Sequence, residues 1–420
     1  MNSKAQHLQV VPETKAFDVE RYRSDFPILY RDVNDKPLVY LDSAASAQKP
    51  QSVIEAMDHC LRFEYSNVHR GIHYLSNTAT QKYEDAREAC RRFLNAREAD
   101  EIVFTKNATE AVNVIAYAWG MSNIEEGDEI ILSVMEHHAN IVPWHFLRER
   151  SGAVIKWAPI SDTGEFLLDE FEKLISPRTK MIALTHMSNV LGTVVPIADV
   201  TRIAHEHGIP VFVDGAQSAV HMSVDVQALD VDFFAFTGHK VYGPSGIGVL
   251  YGKKALLEDL PPFLGGGAMI ESVERDSITY GPVPSRFEAG TPPIVEAVGL
   301  HAALNYMMQI GREEIAAHEH DLMTYAHEQL DELNWLRVYG SAPGKGSIVS
   351  FTMDSLHPHD ISMVVDRSGV AIRAGHHCAQ PLMERYEVTG MCRASFGLYN
   401  TKRDVDVLVE ALKKAHDLFA

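Results

Sequence analysis

Cysteine is scarce in this chain of 420 residues: only positions 60, 90, 378 and 392 carry it, and no CxxC pair occurs. Four scattered thiols cannot form a disulfide framework, and the spacing needed by zinc ribbons or dithiol redox sites is missing. Reduced thiols and a cytoplasmic setting are expected. Long apolar runs are also missing. No stretch approaches the ~20 residues that cross a bilayer, and Met1–Phe17 (MNSKAQHLQVVPETKAF) lacks the hydrophobic centre of a signal peptide. Basic charge is in short supply, with 38 Lys and Arg against 57 Asp and Glu, a formal charge of -19. No basic stripe tracks a phosphate backbone, so nucleic-acid binding is disfavoured, whereas an acidic surface suits a partner with a basic patch. GxxxxGK[ST] and HExxH do not occur, and GPSGIG (Gly243–Gly248) does not satisfy GxGxxG, which leaves P-loop, zincin and Rossmann dinucleotide readings without their fingerprints. Internal repeats and low-complexity blocks are absent as well.

What remains is an ordinary globular composition, 46% hydrophobic and 23% charged, in a chain longer than one core usually serves. A large domain plus a smaller one is expected. Residues 1–17 read as a mobile tail, 27–294 as the large domain, and 18–26 with 295–420 as the small one. A short helix is expected near Val19–Phe26, a strand in LVYLDSAA (Leu38–Ala45), and helices over 50–65 and 78–94. EIVFT, AVIKWAPI, KMIALTHMSNV and VFVDG then recur as apolar runs separated by helical stretches such as LLDEFEKLI and IADVTRIAHEHG. That alternation predicts βαβ units and a mainly parallel sheet. From Ile294 the pattern changes to long amphipathic helices followed by strands LRVYG and SIVSFTM.

The chemistry concentrates in Val211–Lys253, where VFVDG, DFFAFTG and GIGVLYG read as buried strands with polar residues only at their ends. Asp214 closes the first, with Gln217 three residues on; Thr237, His239 and Lys240 follow the second. A carboxylate and an amine at the tips of neighbouring strands suit a pyridoxal 5'-phosphate site, in which the lysine carries the cofactor and the aspartate keeps its pyridinium nitrogen protonated. Taken singly, Asp214 would be a turn or capping residue and Lys240 a solvated loop residue; their joint spacing is what points to a site. The helix beginning in NATEAVNVIAYAWG offers free N–H groups and a positive dipole end for the cofactor phosphate, with Thr109 early in it. Asn189 stands just past a strand end, at the sheet's carboxyl edge. Cys378 lies on the Gly- and His-rich loop AIRAGHHCAQP, whereas Cys60 and Cys90 fall inside helices, as buried packing residues do. The adjacent His137 and His138 point opposite ways in an extended segment, so no metal site is expected.

DGAQ, TGHK-YGP-GIG, RFEAGTP and AIRAGHHCAQP, in this order, resemble the class V aminotransferase superfamily, and within it the Suf-type (group II) cysteine desulfurases. The resemblance runs from about Phe26 to the C-terminus. It implies an α/β fold, fold type I of the PLP-dependent transferases (aspartate aminotransferase-like): a mainly parallel seven-stranded sheet plus a smaller α+β domain. It implies a homodimer converting L-cysteine to L-alanine, with a persulfide on Cys378 that passes to a sulfur-acceptor protein for iron-sulfur cluster assembly. By the same match His137 lies over the cofactor ring, Arg393 grips the substrate carboxylate, Arg373 is a second cation, and Thr291 completes the phosphate site of the partner subunit. Relatives often carry two hydroxyl residues where this chain has Ala108-Thr109. The loop NVHRGIHYLSN borders the substrate entrance in the family, making His69 and Arg70 lid candidates; read from its residues alone it is a solvated turn. Selenocysteine lyase and cysteine sulfinate desulfinase are the rival activities of the same superfamily. A non-catalytic scaffold that keeps the fold is the rival from another class, and joint retention of Lys240, Asp214, Arg393 and Cys378 argues against it.

Overall fold

Seven apolar segments form one sheet: β1 (Ile102–Thr105), β2 (Glu129–Ser133), β3 (Val154–Ala158), β4 (Thr179–Thr185), β5 (Val211–Asp214), β6 (Phe233–Thr237) and β7 (Gly248–Gly252). Their order is β1-β7-β6-β5-β4-β2-β3, and β7 alone runs antiparallel to its neighbours. The computed structural model describes residues 17–354 and 356–419. The tail expected over 1–17 therefore lies outside the described residues apart from Phe17, whose ring stacks on His318 at 4.3 Å.

Nearly every strand residue is buried because helices cover both faces, which is why these segments read as continuous apolar runs. Phe234, Phe236 and Val213 face one core, while Phe233, Ala235 and Phe212 face the other. All strands but β7 end on the same edge, so Thr105, Ser133, Thr185, Asp214 and Thr237 gather there. The helix Ala108–Ala118 starts at that edge, and it lies so close to β7 that a Cβ on Gly248 would sit 2.4 Å from the backbone carbon of Asn107. Its capping residue is Asn107, whose side chain accepts from the Glu110 N–H; Thr109, expected near the cap, comes two positions later and is free to face a ligand.

A second, antiparallel sheet comprises β8 (Leu336–Tyr339), β9 (Ile348–Met353), β10 (Arg373–Gly375) and β11 (Met391–Ser395) in the order β8-β9-β11-β10. The helices Arg312–Asp331, Pro358–Asp366 and Lys402–Phe419 share its core. The strand expected over Leu38–Ala45 shortens to Val39–Tyr40 and pairs in parallel with Val370–Ala371, so Val39 and Leu41 are buried in this second core. Two helix boundaries also differ: the second early helix begins at Tyr74, capped by His73, and the first ends in a π-turn over Cys60–Glu64. Just past the glycines at 265–267, Ile270–Val273 and Ile278–Tyr280 pair as an antiparallel hairpin.

Candidate functional site

At the carboxyl edge of the large sheet, where the small sheet abuts it, lies a cleft of about 210 Å³. Thr109, His137, Asn189, Asp214, Gln217, Thr237, His239, Lys240, Arg373 and Arg393 all line it.

Asp214 ends β5 with 5% of its surface exposed, and its Oδ1 accepts from the Ala216 N–H at 3.0 Å. Burial raises its carboxyl above the ordinary range, opposed by that N–H and by the charge of Lys240. Lys240 follows β6. Burial lowers its amine to about 8, assisted by Arg393 and Arg373 and opposed by Asp214 and Cys378. An amine that loses its proton near neutrality can act as a nucleophile and then as a base. The carbonyl just before it, on His239, accepts from the Ala47 N–H at 3.1 Å, the Ser46 hydroxyl at 3.3 Å and the Lys49 ammonium at 3.0 Å. The loop that presents Lys240 is thereby tied to residues 46–49 of the opposite wall.

His137 accepts from the Ala139 N–H through Nδ1 at 3.1 Å, so the proton of its neutral ring sits on Nε2. Burial, then the charge of Lys240, pushes its pKa down to about 3. Beneath it is a framework with no signature in the sequence pattern. Glu136 is wholly buried, accepting from Ser133 Oγ at 2.6 Å, the Thr185 N–H at 3.0 Å and Asn140 Nδ2 at 2.7 Å; Asn140 in turn accepts from Trp144. Desolvation lifts Glu136 to about 7. A carboxyl in an apolar strand-to-helix turn is the signal that could have marked it.

Cys378 stands beside the cleft, half-buried, directly after His377, which lines it. His377 and Cys378 both take left-handed backbone angles, φ 51° and 56°. Such conformations persist where neighbours over-determine them. Here Asn189 Nδ2 donates to the His377 carbonyl at 2.9 Å, and the His138 N–H donates to the Cys378 carbonyl at 2.7 Å. The thiol loop is thus held by residues that line or flank the cleft. Arg393, wholly buried in β11, donates to the Asn189 carbonyl at 2.8 Å and to Asp42 at 3.1 Å. Asp42 was not singled out by sequence reasoning; an acidic residue closing an apolar run was its only mark.

Thr291 is not brought to this cleft within one chain. It is exposed and lines a separate groove of about 560 Å³ together with His69 and Arg70. His69 itself has φ 60° and pairs with Glu84 at 3.0 Å.

Several buried polar atoms of cleft residues have no hydrogen-bond partner: Thr237 Oγ1, Gln217 Oε1, His377 Nδ1 and Arg393 Nε. Buried polar groups are rarely left unpaired, so this set marks a place built for a polar ligand. With a carboxyl opposite a lysine and a helix N-terminus beside Thr109, the residues fit pyridoxal 5'-phosphate.

Fold and cleft define the class: an α/β protein of the aspartate aminotransferase-like fold, fold type I of the PLP-dependent transferases. The chain belongs to the Aminotransferase class-V family, whose sequence model matches residues 39–408. It is similar to a probable cysteine desulfurase of Halalkalibacterium halodurans, 50% identical over 394 residues, covering 94% of this chain and 97% of that one. It is also similar to a cysteine desulfurase of Salmonella agona, 49% identical over 403 residues, covering 96% and 99%. Among solved structures it is similar to the Escherichia coli cysteine desulfurase CsdA in S-sulfonic acid form, with a TM-score of 0.90 and 40% identity over 97% of this chain and 100% of that one.

Proposed function

We propose that the protein is a PLP-dependent cysteine desulfurase that converts L-cysteine to L-alanine and keeps the sulfur as a persulfide on Cys378. The observation that carries this reading is that Lys240, Asp214 and Arg393 meet in one cleft while Asn189 and His138 hold the Cys378 loop against it. The names of the relatives agree with it.

Bound, the cofactor withdraws electrons from the substrate's α-carbon and makes the bond from Cβ to sulfur labile. Lys240 would carry it, Asp214 would face its ring nitrogen, and Gln217, Thr237 and His239 would take its remaining polar groups. Thr109 and the N-terminus of the helix Ala108–Ala118 would receive the phosphate, helped by Thr291 from the second copy of a homodimer. Arg393, with Asn189 and Arg373, orients the substrate by its carboxylate. Lys240, released near neutral pH as a free amine, moves the α-proton. The Cys378 thiolate attacks the substrate sulfur, the Cβ–S bond breaks with its electron pair left on carbon, and carbon takes a proton. His137, which lines the cleft with its N–H on Nε2, would relay that proton. Alanine leaves and a persulfide remains, so no outside oxidant or reductant is needed.

The finer reading is a Suf-type enzyme of the cytoplasm, with a large domain over 27–294 and a small domain carrying the Cys378 loop. The span from Arg373 to Cys378 is too short to swing far from the cleft, so sulfur has to be collected in place by an acceptor protein. Holoenzyme incubated with L-cysteine is expected to yield alanine and a mass gain of one sulfur atom on the Cys378 peptide, with turnover rising on addition of a Suf-type acceptor. Alanine formed at the parent rate by Cys378→Ala would sink the nucleophile assignment. An acceptor titration without effect removes the Suf reading alone, and activity confined to selenocysteine or cysteine sulfinate transfers the site to a rival of the superfamily.

A further inference from the structure

Arg373 and Arg393 are register partners on the adjacent antiparallel strands β10 and β11. Their side chains therefore share a face of the sheet, a like-charge pairing that works against the ladder. The carboxylate that meets Arg393 is Asp42, and the charges of Arg373 and Lys240 act on it as well. The backbone puts it there. A parallel bridge joins Asp42 to Ser395, two residues beyond Arg393, and the N–H groups of Ala45 and Ser46 close a turn on the Asp42 carbonyl. Oδ1 of Asp42 accepts from Nη2 of Arg393 at 3.1 Å; the arginine side chain is 2% exposed and the aspartate side chain 23%. The grip uses one of five donors. Another goes to the Asn189 carbonyl, and Nε has no partner, so the guanidinium retains N–H groups for a second carboxylate.

We propose that Asp42 is a positioning residue that fixes the Arg393 fork and, by its negative charge, weakens that arginine's hold on an incoming carboxylate. The inference rests on the reading of Arg393 as the substrate anchor. Its sense follows from the reaction: L-cysteine and L-alanine carry the same α-carboxylate, so whatever strengthens its capture also slows product release and adds nothing to the chemical step. A resident carboxylate keeps the arginine oriented while moderating that shared term.

The test measures calorimetric binding of 3-mercaptopropionate, which has the carboxylate and thiol but no amine, to holoenzyme. Asp42→Asn, close in shape but uncharged, is expected to bind it about tenfold tighter, the scale of one partly screened charge contact removed. Asp42→Glu, which restores the charge, is expected to return towards the parent, and with L-cysteine Asp42→Asn is expected to lower KM without raising kcat. A folded Asp42→Asn that binds no tighter than the parent overturns the proposal; should that variant fail to hold cofactor, Asp42→Ser carries the same comparison. Arg393→Lys separates the two readings. If it leaves 3-mercaptopropionate binding unchanged, the anchor assignment fails and the role of Asp42 with it. If it weakens binding while Asp42→Asn does not tighten it, only the role of Asp42 is lost.

Discussion

Gly215→Ala is the smallest change expected to disable the site, because the glycine sits between Asp214 and the Gln217 turn with no room above it. A Cβ at this position would lie 1.8 Å from Cζ and 2.4 Å from both Cε atoms of Phe234, a ring that is fully buried in β6. Carbon atoms in contact prefer about 3.5 to 4.0 Å, so the deficit is roughly 2 Å. The backbone cannot retreat freely, since the Gly215 N–H donates to the Ala235 carbonyl at 2.8 Å. Inserting one methyl into a packed core costs about 1–3 kcal/mol, and a deficit of this size belongs at the upper end. Relief by moving the loop would displace Asp214 and Gln217, so cofactor content should fall along with stability. Urea unfolding of apoenzyme and cofactor stoichiometry after reconstitution measure the two effects. Phe234→Leu removes the ring tip that the methyl would strike. The double variant should therefore lose less than the sum of the singles, by about 1–3 kcal/mol. Additive losses, or a Gly215→Ala protein within about 0.5 kcal/mol of the parent, would show that the close approach does not constrain the site.

Lys240, lowered to about 8, is more often the free base than an ordinary lysine. The rate at which apoenzyme takes up pyridoxal phosphate should thus rise with pH and level off above about 8; a rate still climbing at pH 10 counts against the desolvated amine. The sign for stability follows from the same shift. Between about 8 and the ordinary 10.5 the unfolded chain holds a proton that the folded chain has released, so apoenzyme should gain stability with rising pH across that window relative to Lys240→Met. Among the four thiols, iodoacetamide should label Cys378 first, as read by peptide mass mapping. Cys60, Cys90 and Cys392 are buried, and burial raises all three, Cys392 to about 12. Early labelling of Cys392 would refute that order.

The large sheet was legible because its strands other than the edge strand β3 are buried on both faces, which writes contiguous apolar runs into the chain, and because its polar residues fall at strand ends. Asp214, Gln217, Thr237, His239 and Lys240 could be placed together on those grounds alone, being within 27 residues of one another. Short elements were not legible in this way. Val39–Tyr40 has no periodicity of its own and takes its partner, Val370–Ala371, from the far end of the chain. Glu136 was hidden because its partners are a serine, a backbone N–H and an asparagine amide, none of which leaves a charge pattern.

The seam between the sheets explains why the second half of the site depends on contacts that no local pattern encodes. Arg393 reaches Asp42 across 351 positions and Asn189 across 204, while Asn189 reaches His377 across 188. Each of these bonds joins the small sheet or its loops to a segment ending at the cleft. A displacement of β11 against β4 would therefore move the carboxylate anchor and, through Asn189, the thiol loop as well. The same contact orients the residue that would hold the substrate and the residue that would take its sulfur, so the two cannot drift apart independently. A desulfurase needs that coupling, because the thiol must meet the sulfur of an amino acid whose position is set by its carboxylate at the other end.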